Sequence, residues 1–157
     1  MIHVILAHDN KFGIGKDNDL PWPKHAEDMK WFRRHTKDEV VVMGRKTYES
    51  FGSKPLPKRK NVVVTNQLLS GVDTVAGNIE SVLNILAAQY PKNTIWVIGG
   101  KNLYLQALPF CRAVFVTKFD QSYDCDTYLP TNFLHQHRTL RYERRGEDCT
   151  YSIWSKE

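Results

Sequence analysis

Residues 40–47 read Val40-Val41-Val42-Met43-Gly44-Arg45-Lys46-Thr47, and this stretch decides the fold. Four consecutive apolar residues, three of them β-branched, make a strand with no polar face. Such a strand is buried on both sides, as in a parallel sheet. Gly44 ends it, and a helix over Arg45–Phe51 follows. Glycine lets a ligand approach the backbone, and the free N–H groups of a first helical turn attract an anion. Two cations at a helix start oppose the helix dipole, a cost that an anionic ligand offsets. An incidental glycine turn is the simpler alternative for this motif taken alone.

The same grammar returns at Thr94-Ile95-Trp96-Val97-Ile98-Gly99-Gly100-Lys101. Two strand–glycine–helix turns in one sheet suit the two phosphate groups of a dinucleotide. Neither G-x-G-x-x-G nor a Walker P-loop occurs, so neither of those phosphate sites is in question.

Outward from these turns, strands are expected at Ile2–Ala7, Asn61–Thr65 and Ala113–Phe119, all rich in β-branched and aromatic residues. Helices are expected at Ala26–Thr36, Ile79–Gln89 and Lys101–Leu108. The second places Ile79, Val82, Leu83, Leu86 and Ala87 on one face, with Asn78 as N-cap and Pro91 beyond its end. Leu134–Tyr142 and Thr150–Ser155 read as a closing hairpin across Arg144–Asp148. The expectation is a single α/β domain over residues 1–157. Its sheet is mostly parallel, covered on both faces, and ends in an antiparallel C-terminal hairpin. Ligands in such folds bind beyond the carboxyl ends of the strands.

Three further features carry candidate chemistry. The segment His8–His25 shows no regular pattern and is long for a loop, so it reads as a lid, with Gly13 and Gly15 as hinges. On the helix from Ala26, Asp28 has Trp31 at i+3 and Phe32 at i+4. It therefore points toward the apolar side, although Glu27 also has Trp31 at i+4 and spacing alone leaves the choice open. Arg59, after Pro55-Leu56-Pro57-Lys58, has the planar fork that grips a carboxylate bidentately.

Composition narrows the classes. With 157 residues, 41% hydrophobic and 25% charged, the chain is of ordinary globular type, and no apolar run approaches the ~18 residues of a membrane span. Ile2–Ala7 is too short for a signal sequence, so the cytoplasm is the expected compartment. Cys111, Cys125 and Cys149 are odd in number and far apart, which excludes a disulfide framework and a zinc ribbon. His135 and His137 would share one strand face and read as solvated, and no metal site is expected. Lys and Arg number 22 against 17 Asp and Glu, a net +5 that suits an anionic partner. No stripe of cations interleaved with aromatics appears, so a phosphorylated small molecule is expected rather than nucleic acid.

Taken in order, these motifs resemble the dihydrofolate reductase family over essentially the whole chain. The anchors are Gly13-Ile14-Gly15, Leu20-Pro21-Trp22, Asp28 with Trp31-Phe32 and Thr36, Met43 to Ser50, Pro55 to Asn61, Ile98-Gly99-Gly100 with Tyr104, and Asp126-Thr127 before Leu129-Pro130. The resemblance implies an eight-stranded mixed sheet with four flanking helices. It implies NADPH-dependent reduction of dihydrofolate to tetrahydrofolate, in support of one-carbon metabolism and thymidylate synthesis, by a monomer acting without metal, nucleic acid or membrane. It also implies that Asp28 is the ionisable group against the pterin, supported by Thr117, with Leu20, Trp22 and Tyr104 completing the catalytic set. Ile5, Ala7, Met29, Phe32, Phe51, Leu56 and Ile98 would wall the substrate pocket, and Arg59 would hold the substrate carboxylate. The cofactor would run past Ala7, Ile14, Gly15, Gly44, Arg45, Lys46, Thr47, Thr65 and Asn66, then Gly99, Gly100, Lys101, Asn102, Leu103 and Tyr104. Two departures stand out. Trp22 and Asp28 lie one residue further apart than in the common bacterial pattern, and Cys125 stands where many bacterial members carry glycine. The nearest rival, a flavin-pathway reductase on the same fold, would not need both Asp28 and Arg59. A basic nucleic-acid module and a folate-binding protein without activity complete the alternatives.

Overall fold

A computed structural model describes residues 1–157. The central strand β1 (Ile2–His8) pairs in parallel with β6 (Ile95–Val97) on one side and β7 (Ala113–Phe119) on the other. Beyond β6 lie β3 (Val40–Gly44), β4 (Lys60–Val64) and β5 (Asp73–Val75), all parallel. Beyond β7 lie β10 (Cys149–Ser155) and the edge strand β9 (Thr139–Arg145), both antiparallel to their neighbours. The sheet order is therefore β5-β4-β3-β6-β1-β7-β10-β9. The expected mixed sheet and its hairpin are present, with the hairpin's first strand starting later than Leu134.

Alternation along the strands divides the core in two. Val40, Val42, Val4, Leu6, Val62, Ile95 and Val97 point to one face, where they pack with α3 (Ile79–Gln89) and α4 (Lys101–Ala107). Val41, Met43, Ile5, Val63, Trp96 and Ile98 point to the other, with Trp31 of α1 (Ala26–Thr36) and Tyr48 of α2 (Arg45–Ser50). The period of two is what lets a continuous apolar run serve two layers. In α3, Asn78 caps as expected, its Oδ1 accepting the N–H of Ser81 at 3.2 Å.

Several local readings change. The lid is not wholly irregular, because Gly13–Gly15 forms a short strand, β2, antiparallel to β8 (Thr127–Tyr128). β5 and β8 were not legible because two or three residues carry no periodicity. α2 ends at Ser50 and α4 at Ala107, after which Leu108–Phe110 tightens into a 3-10 turn around Pro109. His137 is not solvated. It lies in the turn before β9, wholly buried, with its Nε2 3.0 Å from the Cys111 carbonyl and 3.3 Å from the Cys111 Sγ. His135, two residues earlier, is exposed as expected. A turn, unlike a strand, does not keep i and i+2 on one side.

Candidate active site

The parallel strands share one carboxyl edge, where Ala7, Gly44 and Ile98 lie and to which α1 brings Asp28, whereas Leu56 and Arg59 precede β4 at its amino end. Register places Ala7 of β1 directly beside Thr117 of β7. α1 crosses above them and brings Asp28 down. The Thr117 hydroxyl donates to Asp28 Oδ1 at 2.8 Å. Burial raises the Asp28 carboxyl above its ordinary value, against the smaller opposing effects of the Thr117 bond and of His25. No cation pairs with it.

The neighbouring acid is turned elsewhere. Glu27 Oε1 accepts the N–H of Glu147 at 2.9 Å and the hydroxyl of Tyr151 at 3.0 Å, both on the C-terminal hairpin. The Glu147 N–H is the main reason its carboxyl sits below the usual value. Helical spacing left two candidates; packing gives each its own partner.

His25 explains how α1 is set. Its Nδ1 accepts the N–H of Asp28 at 3.1 Å, capping the helix, so Nε2 carries the proton and donates to the Glu147 carbonyl at 2.8 Å. His25, Glu27 and Cys149 bring their donor atoms within 4.8 Å of one another. Both nitrogens of His25 and the facing oxygen of Glu27 are engaged in hydrogen bonds, so the grouping reads as a helix anchor.

Apolar residues surround the carboxylate unevenly. Ile5 and Ile98 are buried in the sheet face, and Ala7, Phe32 and Leu56 are half-buried. Met29, Phe51 and Leu20 are 55%, 37% and 61% exposed. The resemblance puts Met29 in the pocket wall; in this structure it is mostly exposed, so it does not enclose Asp28. Trp22 is buried, its ring tilted against Phe119 with centroids 4.6 Å apart and edge-on to Tyr123 at 5.8 Å. The hydroxyl of buried Tyr104 donates to the Ile5 carbonyl at 3.0 Å, and burial raises its pKa.

Arg59, just before β4, packs against the C-terminal half of α1. Its Nε donates to Thr36 Oγ1 at 2.8 Å and its Nη1 to the Pro57 carbonyl at 2.9 Å, and its guanidinium sits 5.6 Å from the Phe32 ring centre. Nη2 has no protein acceptor. Thr36 thus orients the fork, a role that sequence alone did not suggest. Its own hydroxyl is fixed by donating to the Phe32 carbonyl at 2.9 Å.

The two glycine turns meet because β3 and β6 are neighbours. The Gly44 N–H donates to the Gly99 carbonyl at 2.9 Å. A Cβ at Gly99 would lie 3.3 Å from Thr47 Oγ1, and Gly99 takes φ +128°, open to glycine alone. Gly44 and Gly100 begin α2 and α4 without a side-chain cap, so first-turn N–H groups stay free on both helices. Arg45 is less isolated than its position implied, since it pairs with Glu49 one turn on at 2.8 Å. Lys46 is exposed, and Thr65 and Asn66 follow the end of β4 on the same edge. Lys101 and Asn102 open α4, whereas the Leu103 side chain belongs to the core beneath. Ile14 and Gly15 sit half-buried on β2, within the lid.

Residues 1–154 match the family model of dihydrofolate reductase. The chain is 38% identical to a dihydrofolate reductase of Drosophila melanogaster, over 82% of this chain and 78% of that one. It is 39% identical to one from Bacillus subtilis (strain 168), over 83% and 76% respectively. In fold it is similar to a solved dihydrofolate reductase from Enterococcus faecalis, complexed with NADP(H) and RAB-propyl. That likeness has a TM-score of 0.82 at 23% identity, covering 100% of this chain and 96% of the other.

Proposed function

This chain belongs to the dihydrofolate reductase family, and we infer from its cleft how its own residues carry the NADPH-dependent reduction of dihydrofolate to tetrahydrofolate. The observation that carries the reading is the half-buried Asp28 carboxylate, bonded to Thr117 and unpaired with any cation. Ionised, it accepts the two N–H donors of the substrate's amino-pyrimidine edge. That negative charge favours a proton on the pterin imine nitrogen as the adjacent carbon is reduced. Leu20 and Trp22 of the lid exclude water above this centre, Ile5, Ala7, Ile98 and Phe32 wall it, and Met29, Phe51 and Leu56 line the outer cleft. Arg59, held by Thr36, clamps the carboxylate of the substrate's tail.

The paired glycine turns fit the phosphates of NADPH: two uncapped helix starts side by side, Thr47 between them, and cations at Arg45, Lys46 and Lys101. When bound, NADPH supplies the hydride. Ile14, Gly15, Thr65, Asn66, Asn102 and the backbone near Leu103 flank that path, and Tyr104 positions the Ile5 carbonyl beside Ala7. The same reading takes residues 1–157 as one domain, a monomer, resident in the cytoplasm. The three free cysteines suit a reducing compartment, and no helix is long and apolar enough to cross a membrane.

The test is dihydrofolate-dependent oxidation of NADPH by the purified protein, with tetrahydrofolate identified as product and Asp28→Asn run beside it. Turnover without dihydrofolate, or an Asp28→Asn variant at full rate, would overturn the assignment. Sedimentation at increasing concentration tests the monomer.

A further inference from the structure

Directly after β1, the chain buries a carboxylate that the reaction as described does not use. Asp9 is 1% exposed and faces no cation. Its Oδ1 accepts the N–H of Lys11 at 2.9 Å and of Gly13 at 2.8 Å. Its Oδ2 accepts the N–H of Tyr123 at 2.8 Å, with the Cys125 thiol at 3.5 Å. Burial disfavours the charge, but these donors outweigh it and hold the carboxyl below its usual value. An isolated Asp turn accounts for the Lys11 and Gly13 bonds. It does not account for Tyr123, more than a hundred residues away.

The two oxygens serve two different segments. Oδ1 holds the chain where it enters the lid; Oδ2 holds the loop after β7. Those segments then meet again at the lid itself. Gly15 accepts the N–H of Asp126 at 2.8 Å, and Asp126 Oδ2 accepts the N–H of Asp17 at 2.9 Å. Between the two meeting points there is no slack, because any side chain at position 13 would run into that of Cys125. The ring of Tyr123, the residue whose backbone N–H Asp9 holds, lies 5.8 Å from that of Trp22.

We infer that Asp9 is a positioning residue for the hydride-transfer step: it fixes the base of the lid and the loop after β7 against each other and so sets where Trp22 stands over the reacting centre. This rests on the proposed placing of the lid. Wild-type protein lacking dihydrofolate-dependent turnover would sink that placing, whereas the Asp9 inference is judged only by variants against an active wild type.

Asp9→Asn keeps the shape but offers one carbonyl and an NH2, so it can accept from the lid side or from the loop side, not from both. In single-turnover experiments the hydride step should fall about tenfold across the pH range, with the midpoint of its profile unmoved, since Asp28 and Thr117 are untouched. The KM for dihydrofolate should stay within about twofold. Trp fluorescence and cleavage by trypsin after Lys16 should both report a loosened lid in the ligand-free protein. Tyr123→Ala, which keeps Asp9 but removes the ring against Trp22, should reproduce the slower hydride step and carries the test if Asp9→Asn does not fold. A hydride step within twofold of wild type in both variants would overturn the inference. So would a KM that rises in step with the rate loss, which marks general damage to the cleft.

Discussion

Thr117 and Asp28 are 89 positions apart in the chain, yet the threonine hydroxyl donates to the aspartate at 2.8 Å beside the carboxyl end of the central strand. β7 supplies the donor, α1 the acceptor, and β1 lies beneath them. The bond favours the ionised form of a carboxyl whose burial favours the neutral one. The balance between these two effects governs the pH behaviour expected of the site.

Asp28→Asn should lower the hydride step by ~10²–10⁴-fold, the usual cost of losing acid–base assistance. Activity should recover toward low pH, where solution protonates the pterin unaided. Thr117→Val removes support for the ionised form, so the Asp28 pKa should rise further and the acid limb of the rate profile should move to higher pH. Single-turnover rates against pH measure both. An unmoved profile in Thr117→Val would count against the bond as a determinant of the titration.

The same carboxylate should cost stability. Its folded pKa is raised, so the folded state holds the proton more tightly than the unfolded state does. Its contribution therefore improves as pH falls through the folded pKa and is unfavourable at neutral pH. Asp28→Asn should accordingly raise the neutral-pH Tm of the ligand-free protein. Glu27→Gln is the contrast. It should keep turnover while lowering the Tm, because Glu27 takes donors from Glu147 and Tyr151 rather than facing the cleft. Loss of turnover in Glu27→Gln alone would reverse the roles of the two acids.

Arg59→Leu should raise the KM for dihydrofolate and leave a pterin without the glutamate tail nearly unaffected. Thr36→Val, which removes the acceptor that orients the Arg59 Nε, should give the same discrimination in milder form. Equal losses on both substrates would show a disturbed pocket instead.

Arg45→Ala should weaken NADPH about tenfold or more and NADH little, as expected for a lost charge-assisted bond of ~1.5–3 kcal/mol. Glu49 now competes for that guanidinium at 2.8 Å, so Glu49→Gln should tighten NADPH binding. Calorimetric titration with both cofactors decides it; equal changes for NADH would remove Arg45 from cofactor choice.

Part of the acid sensitivity should come from His3, one of four histidines whose pKa burial lowers. Burial lowers its pKa from 6.5 to about 4, opposed in part by the Ile2 backbone and added to by the N-terminus, Arg112 and His35. Between those two values the unfolded chain holds the proton and the folded chain does not. Stability should therefore drop as pH falls across that window, by roughly 3 kcal/mol from this group, and level off below it. His3→Phe, which keeps the packing on Trp96 and Phe115, should flatten that limb in urea titrations. An unchanged limb would place the acid sensitivity elsewhere.

What the sequence determined by itself was whatever is written in short-range pattern. The apolar run Val40–Met43 requires a strand buried on both sides. Gly44 and Gly99-Gly100 mark its ligand edge, and Asn78 with the apolar face of α3 marks a capped helix. These depend on residues within one or two turns of each other, and the order of the motifs then pointed to a family. Tertiary structure decided everything that depends on which distant segments meet. It separated Asp28 from Glu27, buried His137 against Cys111, and turned Arg45 toward Glu49. It also made Asp9 the shared anchor of two loops. The physical reason is that an isolated polar side chain carries no periodicity. Its role is set by the donor or charge that another part of the chain brings to it, because a buried polar group persists only where it finds a partner.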